Sequence, residues 1–307
     1  MVFSILIANV LPLYGLIVLG FVIGRTTQLD VAPIATLMLY AVLPIVMFGA
    51  TGNMDFTAEY FLPPLIIASI SIIASTTAYL VSARFWPDDR HNLLGMLGVS
   101  SNATYFGVPI AIAIVGEEWL PVYMMMVLPL FILDCTLGYY FAVRGEFDVK
   151  DSLLRVVRLP IIYGAILGAV INGLGFELPT LFNEYWERFT GTMIILGMMM
   201  IGAGLSQMDR FRFDGTFFIG VAGLRYLMWP GLGLLWVFAD TTFLQILSPE
   251  IHTLIILVCA CPLAANTVAY AAKLNLYPAL TSCMVLITTL LALGFIPFML
   301  GLKELIF

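Results

Sequence analysis

Apolar stretches of about 20 residues follow one another along this chain with short polar links between them, and about 20 residues is what an α-helix needs to cross a hydrocarbon layer about 30 Å thick. Ten such stretches can be marked, at 2–23, 31–50, 60–84, 92–115, 120–143, 154–174, 180–205, 216–238, 253–274 and 278–302. The composition agrees. Hydrophobic residues make up 62% of the 307 and charged residues 10%, with a mean hydropathy of +1.04. Such a chain has too few polar groups to cover a water-soluble globule, which excludes a soluble enzyme, a nucleic-acid binder and a disordered scaffold. The apolar runs are continuous instead of alternating, which excludes an outer-membrane barrel. The expectation is an all-α integral membrane protein of ten transmembrane helices.

Lys and Arg orient it. Arg25, Arg84, Arg90, Arg144, Lys150, Arg155, Arg158, Arg210, Arg212 and Lys273 fall in one set of links, and only Arg188 and Lys303 on the opposite side. A ten-to-two asymmetry predicts that the first set is cytoplasmic and both termini face outside, in a multi-pass protein of the cytoplasmic (inner) membrane. Stretch 2–23 has no preceding basic residue and is followed by Arg25, the reverse of a signal peptide's charge order.

An internal repeat is visible at an offset of 148. Leu11-Pro12, Gly20, Val22 and Ile23 return as Leu159-Pro160, Gly168, Val170 and Ile171. Span one then runs inward and span six outward, so 1–143 and 154–307 read as two inverted five-helix repeats joined by a cytoplasmic link at 144–153. That is a recurring plan of secondary transporters, with the site at mid-membrane between the halves.

Spans four and nine, equivalent in this scheme, are both interrupted. Span four carries Ser100-Ser101-Asn102-Ala103-Thr104 followed by Gly107 and Pro109; span nine carries Pro262, Asn266 and Thr267. Small polar residues with Gly and Pro at this depth are tolerated where the backbone is buried in protein or lines a wet cavity. Paired interruptions mark a transporter site, and the alternative is two prolines that merely kink packed helices. Half-helix N-termini and the neutral donors Asn102 and Asn266 suit a carboxylate, although exposed carbonyl ends would suit a cation. The substrate-binding candidates are Ser101, Asn102, Thr104, Pro109, Pro262, Asn266 and Thr267.

Asp134 and Arg225 are the charges nearest span centres, and each is costly there unless it works or is paired. If close, they form a structural pair; if apart, Asp134 could exchange a proton and Arg225 could contact the moving part or attract anions. The cysteines Cys135, Cys259, Cys261 and Cys283 lie in apolar runs and, like His91 and His252, show no disulfide or metal spacing. No catalytic or phosphate-loop motif occurs, so neither enzyme activity nor a cofactor is expected. The methionine runs 124–126 and 198–200 read as packing, and Glu184, Glu187 and Arg188 as a solvated turn.

These residues resemble the auxin efflux carrier family, which includes bacterial permeases such as malonate carriers. The resemblance runs through Pro12, Gly20 and Gly24-Arg25; Leu43-Pro44 and Phe48; Asn102 with Gly107-Val108-Pro109; Gly197 and Gly202-Ala203-Gly204-Leu205; Leu224-Arg225 with Pro230; Pro262, Ala264-Ala265-Asn266 and Ala271-Ala272; and Pro297. Ser101 stands where the plant exporters carry a proline. The resemblance implies two crossing helices in a transport domain beside a scaffold domain, in a fold similar to sodium/bile-acid symporters and sodium/proton antiporters. It also implies movement of a small organic anion. Expected partners are that anion, membrane lipid, H⁺ or Na⁺, and a second copy of the chain if it dimerises. Two other readings stay open. One is a sodium-coupled symporter using the oxygens of Ser100, Ser101, Asn102, Thr104, Asn266 and Thr267; the other is an ion channel.

Overall fold

The computed structural model describes every residue except 1, 28, 56, 144–148 and 208–212, so Arg144, Arg210, Arg212 and the start of the expected link lie outside the described residues. The described residues form helices and no strands. We label the helices α1 (Val2–Thr27), α2 (Ala32–Gly52), α3 (Glu59–Ser82), α4 (Arg90–Val99), α5 (Val108–Val115), α6 (Glu117–Ala142), α7 (Val149–Val157), α8 (Pro160–Gly173), α9 (Thr180–Ser206), α10 (Gly215–Leu244), α11 (Pro249–Ala260), α12 (Asn266–Lys273) and α13 (Pro278–Ile306). Seven segments are long and apolar enough to cross a membrane: α2, α3, the stretch from α4 to α5, α6, α9, α10 and α13. The other three expected spans fall on shorter apolar helices, at Leu11–Thr27, α8 and α11.

Two boundaries differ from the sequence reading. The expected sixth span begins at 154, but the chain turns at Arg158 and α8 starts at Pro160. Proline suits a first helical turn, where its missing N–H has no partner to lose. The residues before it form the separate helix α7, with Leu153 and Val157 exposed. The eighth span was expected to end at 238, but α10 continues to Leu244 and takes Asp240 with it.

Close helix pairs set the frame. α1 packs along α9, and α2 along α8. Without a hydrophobic drive between helices in lipid, close backbone approach at small residues does the work. A side-chain carbon on Gly202 would collide with the Ile17 carbonyl, one on Gly20 with the Met199 carbonyl, and one on Gly164 with the Pro44 carbonyl. The remaining helices, α3 to α7 and α10 to α13, pack with one another around the interrupted segments, and α1, α2 and α9 pack against them. Met124, Met126 and Met198 are fully buried packing residues.

Candidate functional site

The first interruption is short. α4 stops at Val99, Ser100 is extended (φ −83°, ψ 133°), and Asn102 (φ −78°, ψ 43°) leads into a π-helical turn at Ala103–Gly107. Pro109 therefore sits in the first turn of α5, seven residues after Asn102, and the break lies at 100–102 instead. The proline opens the second half-helix and does not cut a continuous one. Gly107 is required by its neighbour: any side chain would strike the Tyr123 hydroxyl, which donates to the Ala103 carbonyl at 2.9 Å. The second interruption follows α11. Cys261 is extended (φ −61°, ψ 146°), residues 261–264 are irregular, and α12 resumes at Asn266.

The two interruptions meet backbone to backbone. The Asn102 N–H donates to the Pro262 carbonyl at 2.9 Å, and the Ser101 hydroxyl donates to the Val258 carbonyl at 3.3 Å. From α13, Thr288 accepts the Leu263 N–H at 3.3 Å. Each break frees helix-terminal backbone groups, and these bonds satisfy part of that demand.

Arg225 satisfies much of the rest. It lies in a π-helical turn of α10 (Gly223–Met228) and is 1% exposed. Its guanidinium donates to the Ser100 carbonyl at 3.4 Å, to the Ser101 hydroxyl at 3.2 Å and to the Cys261 carbonyl. Ser100 and Cys261 directly follow the C-terminal ends of α4 and α11, which carry partial negative charge. One buried cation thus answers two helix ends at once. Four residues on, Trp229 lies under the guanidinium, 4.6 Å from ring centre, and its indole N–H donates to the Gly98 carbonyl at 3.0 Å.

Asp134 takes a different place. It opens a π-helical turn of α6 (Asp134–Gly138), is half-buried, and faces the side chains of Ser100 and Asn266. Ser100 Oγ is buried without a hydrogen-bond partner, so it falls short of bonding distance to the carboxyl. Asp134 also lines a cavity of about 10 Å³, with Met96, Gly138, Tyr139, Ala142, Thr267 and Tyr270, which is room for about one water. The expected alternative of an Asp134–Arg225 pair does not form among the described residues, because the guanidinium is committed to the helix ends.

The remaining candidates divide. Asn102 is buried, and its side-chain amide nitrogen has no partner. Asn266 is exposed at the start of α12. The Thr267 hydroxyl donates to the Ala264 carbonyl at 2.6 Å, closing the turn before α12, and Thr104 is buried within its π turn. The structure thus gathers Ser101, Asn102, Pro262, Asn266, Thr267, Asp134 and Arg225 about one crossing, with Pro109 at its edge.

Sequence reasoning missed two polar clusters. Asp240 and His252 form a buried pair at 2.8 Å, in which Asp240 also accepts the Ile246 and Leu247 N–H groups at 3.1 and 3.2 Å. Placing Asp240 beyond the span hid its burial. Arg90 pairs with Asp88 and Asp214, each at 3.0 Å, tying the start of α4 to the start of α10. The Arg90 side chain holds the Asp88 carboxyl below the ordinary carboxylate range; the Thr216 hydroxyl does most to hold Asp214 there, helped by the Phe217 N–H and Arg90. A cavity of about 690 Å³ lies beside this cluster between α3, α4 and α10 and is lined mainly by apolar side chains. It touches none of the crossing residues.

Residues 147–300 match the model of a family described as membrane transport protein. That match takes in Arg225, Pro262, Asn266 and Thr267. An uncharacterized transporter of Methanocaldococcus jannaschii is 24% identical over 179 residues, covering 55% of this chain and 58% of that relative. The aligned region is thus little more than half the length of the curated relative.

Proposed function

The chain belongs to the membrane transport protein family, that of the auxin efflux carriers, and on that premise we propose that it is a secondary carrier moving a small organic anion, a carboxylate, by alternating access. The observation that carries this reading is the crossing itself. Two interrupted helices meet backbone to backbone, Arg225 holds both of their C-terminal ends, and the buried Asn102 side-chain nitrogen has no protein partner. A buried donor without a partner is costly, and a ligand oxygen removes that cost. The segments that resume after the breaks start at Ala103 and Asn266, close in sequence to the Asn102–Pro262 contact, and their partly positive N-terminal ends would add to the attraction for an anion. Asn102 and Asn266 would hold the carboxylate as neutral donors, beside Ser101, Thr104 and Thr267, while Pro109 and Pro262 fix the backbone around them. Arg225 would act on the ligand through the geometry it gives the crossing.

The reading includes two inverted five-helix repeats, with ten spans, positively charged links on the cytoplasmic side of the inner membrane and external termini. The packing supports it: exchanging halves turns span one into six and seven into two, which turns the α1–α9 pair into the α8–α2 pair.

The test is thermal stabilisation of the purified protein across a panel of mono- and dicarboxylates. A carboxylate that raises the melting temperature of the parent protein, with the shift lost in Asn102→Ala and Asn266→Ala while both still melt cooperatively, supports the site. An unchanged shift in both variants refutes it.

A further inference from the structure

Asp134 has a setting that the substrate reading does not use. Its neighbours at the crossing, Ser100 and Asn266, are neutral, and no ion pair forms to it among the described residues. The titratable groups around it are Cys135 and Tyr139 on its own helix, Tyr270 on α12 and Arg155 on α7. Arg155 is engaged elsewhere, 3.8 Å over the Tyr139 ring. The packing against this turn from α4 brings Met96 and Ser100. Here, then, is a carboxyl inside a helix bundle with a cavity the size of one water beside it and a buried, unpartnered hydroxyl, that of Ser100, turned toward it.

Resting on the carrier reading, we propose that Asp134 is a proton-binding site that couples to the substrate site through Asn266. The ionised carboxylate can only accept, so it draws an N–H of the Asn266 amide to itself. Once a proton from the cavity water forms the carboxyl O–H, that group donates to the Asn266 carbonyl oxygen, and the amide turns its N–H₂ toward an anion. The carboxyl O–H bond forms as an O–H bond of a hydronium ion in the cavity breaks and leaves water, and the proton returns to water by the reverse step. Proton and anion then bind together, which is symport. A metal cation fits poorly: one carboxylate, one hydroxyl, one amide and room for a single water make a thin shell.

The experiment is charge displacement by proteoliposomes on a solid-supported membrane after a pH jump, without substrate. The parent protein is expected to give a displacement, and Asp134→Asn to lose it, while Cys135→Ser and Tyr270→Phe keep it. A sodium jump at constant pH is expected to give none. A full-size displacement in Asp134→Asn, or a sodium response lost in that variant, overturns the proposal. If Asp134→Asn does not fold, Asp134→Glu decides: a moved pH midpoint supports the site and an unmoved one removes it. A displacement lost in Asp134→Asn stands even if no carboxylate stabilises the protein, in which case the carrier reading alone fails. A carboxylate shift lost in Asn102→Ala, alongside a full-size displacement in Asp134→Asn, sinks the proton site alone.

Discussion

The paired helices α1–α9 and α2–α8 and the crossing of α4–α5 with α11–α12 are both close backbone contacts, made by opposite means. In the pairs, glycine lets carbonyls approach where no side chain could fit, and intact helices satisfy their own backbone. At the crossing the backbone is opened, and its polar groups are answered by Arg225, Ser101, Trp229 and each other. The first contact tolerates no added atom. The second depends on polar atoms and leaves three of them, Asn102 Nδ2, Ser100 Oγ and Arg225 Nε, without partners among the described residues. One region is built to stay as it is, and the other holds unused bonding capacity.

The largest effect should come from breaking the first kind of contact. Gly202→Leu puts a branched side chain into the Ile17 backbone, and a monodisperse peak on size-exclusion chromatography should be lost. Normal yield and melting would show that α1 and α9 are not the rigid pair described. Arg225→Ala comes next. It strips two buried carbonyls of their donor, at about 1–3 kcal/mol each, and a lower melting temperature in detergent checks it. Arg225→Lys should restore only part of the loss, since a point charge cannot reproduce the planar fork. Full restoration would mean that charge alone matters at the crossing.

Smaller effects sharpen the contrast. Asn102→Ala removes an unpartnered amide, so melting without ligand should move by less than in Arg225→Ala, or rise, whereas any carboxylate-induced shift should vanish. A large loss of ligand-free stability would assign Asn102 a packing role. Smallest is the cap at the start of α10, where Asp214 accepts the Thr216 and Phe217 N–H groups at 3.0 and 3.1 Å. Asp214→Ala should cost about 1 kcal/mol. Because the Asp88 and Asp214 carboxyls sit below their ordinary range, their contribution is complete at neutral pH and is lost as pH falls below that range. Melting of the parent protein should thus fall in strong acid by more than that of Asp214→Asn, and equal acid sensitivity would remove the cluster from the account.

The apolar runs made the helices legible, since a span must be long and uninterrupted, and the exceptions at 100–102 and 261–265 stood out for that reason. What could not be read was which carbonyl Arg225 answers. A lone buried cation announces its cost, but its partners here are backbone atoms of Ser100 and Cys261, and backbone carbonyls look alike in every sequence. The same reasoning offered Asp134 as one of two alternatives for it. Pro109 misled in the other direction: proline marks both the cutting of a helix and the opening of one, and the φ and ψ of Ser100 decide between them. Asp240 escaped because a π turn carries α10 past the apolar run into a polar stretch.

Arg225 reaches from α10 to two separate stretches of chain, and this fixes where the molecule can part. On the carrier reading, three segments joined by one guanidinium would travel as a single block, with no sliding plane between α10 and the crossing. The seam left for motion on that reading lies between that block and α1, where Tyr14 meets Phe106 edge to face at 5.8 Å and its hydroxyl donates to the Thr289 carbonyl at 2.9 Å. Those contacts join α1, which also packs against α5 and α13, to the block. On the carrier reading, a ligand seated at the crossing would be carried with its walls, and the far opening would form at the tyrosine seam.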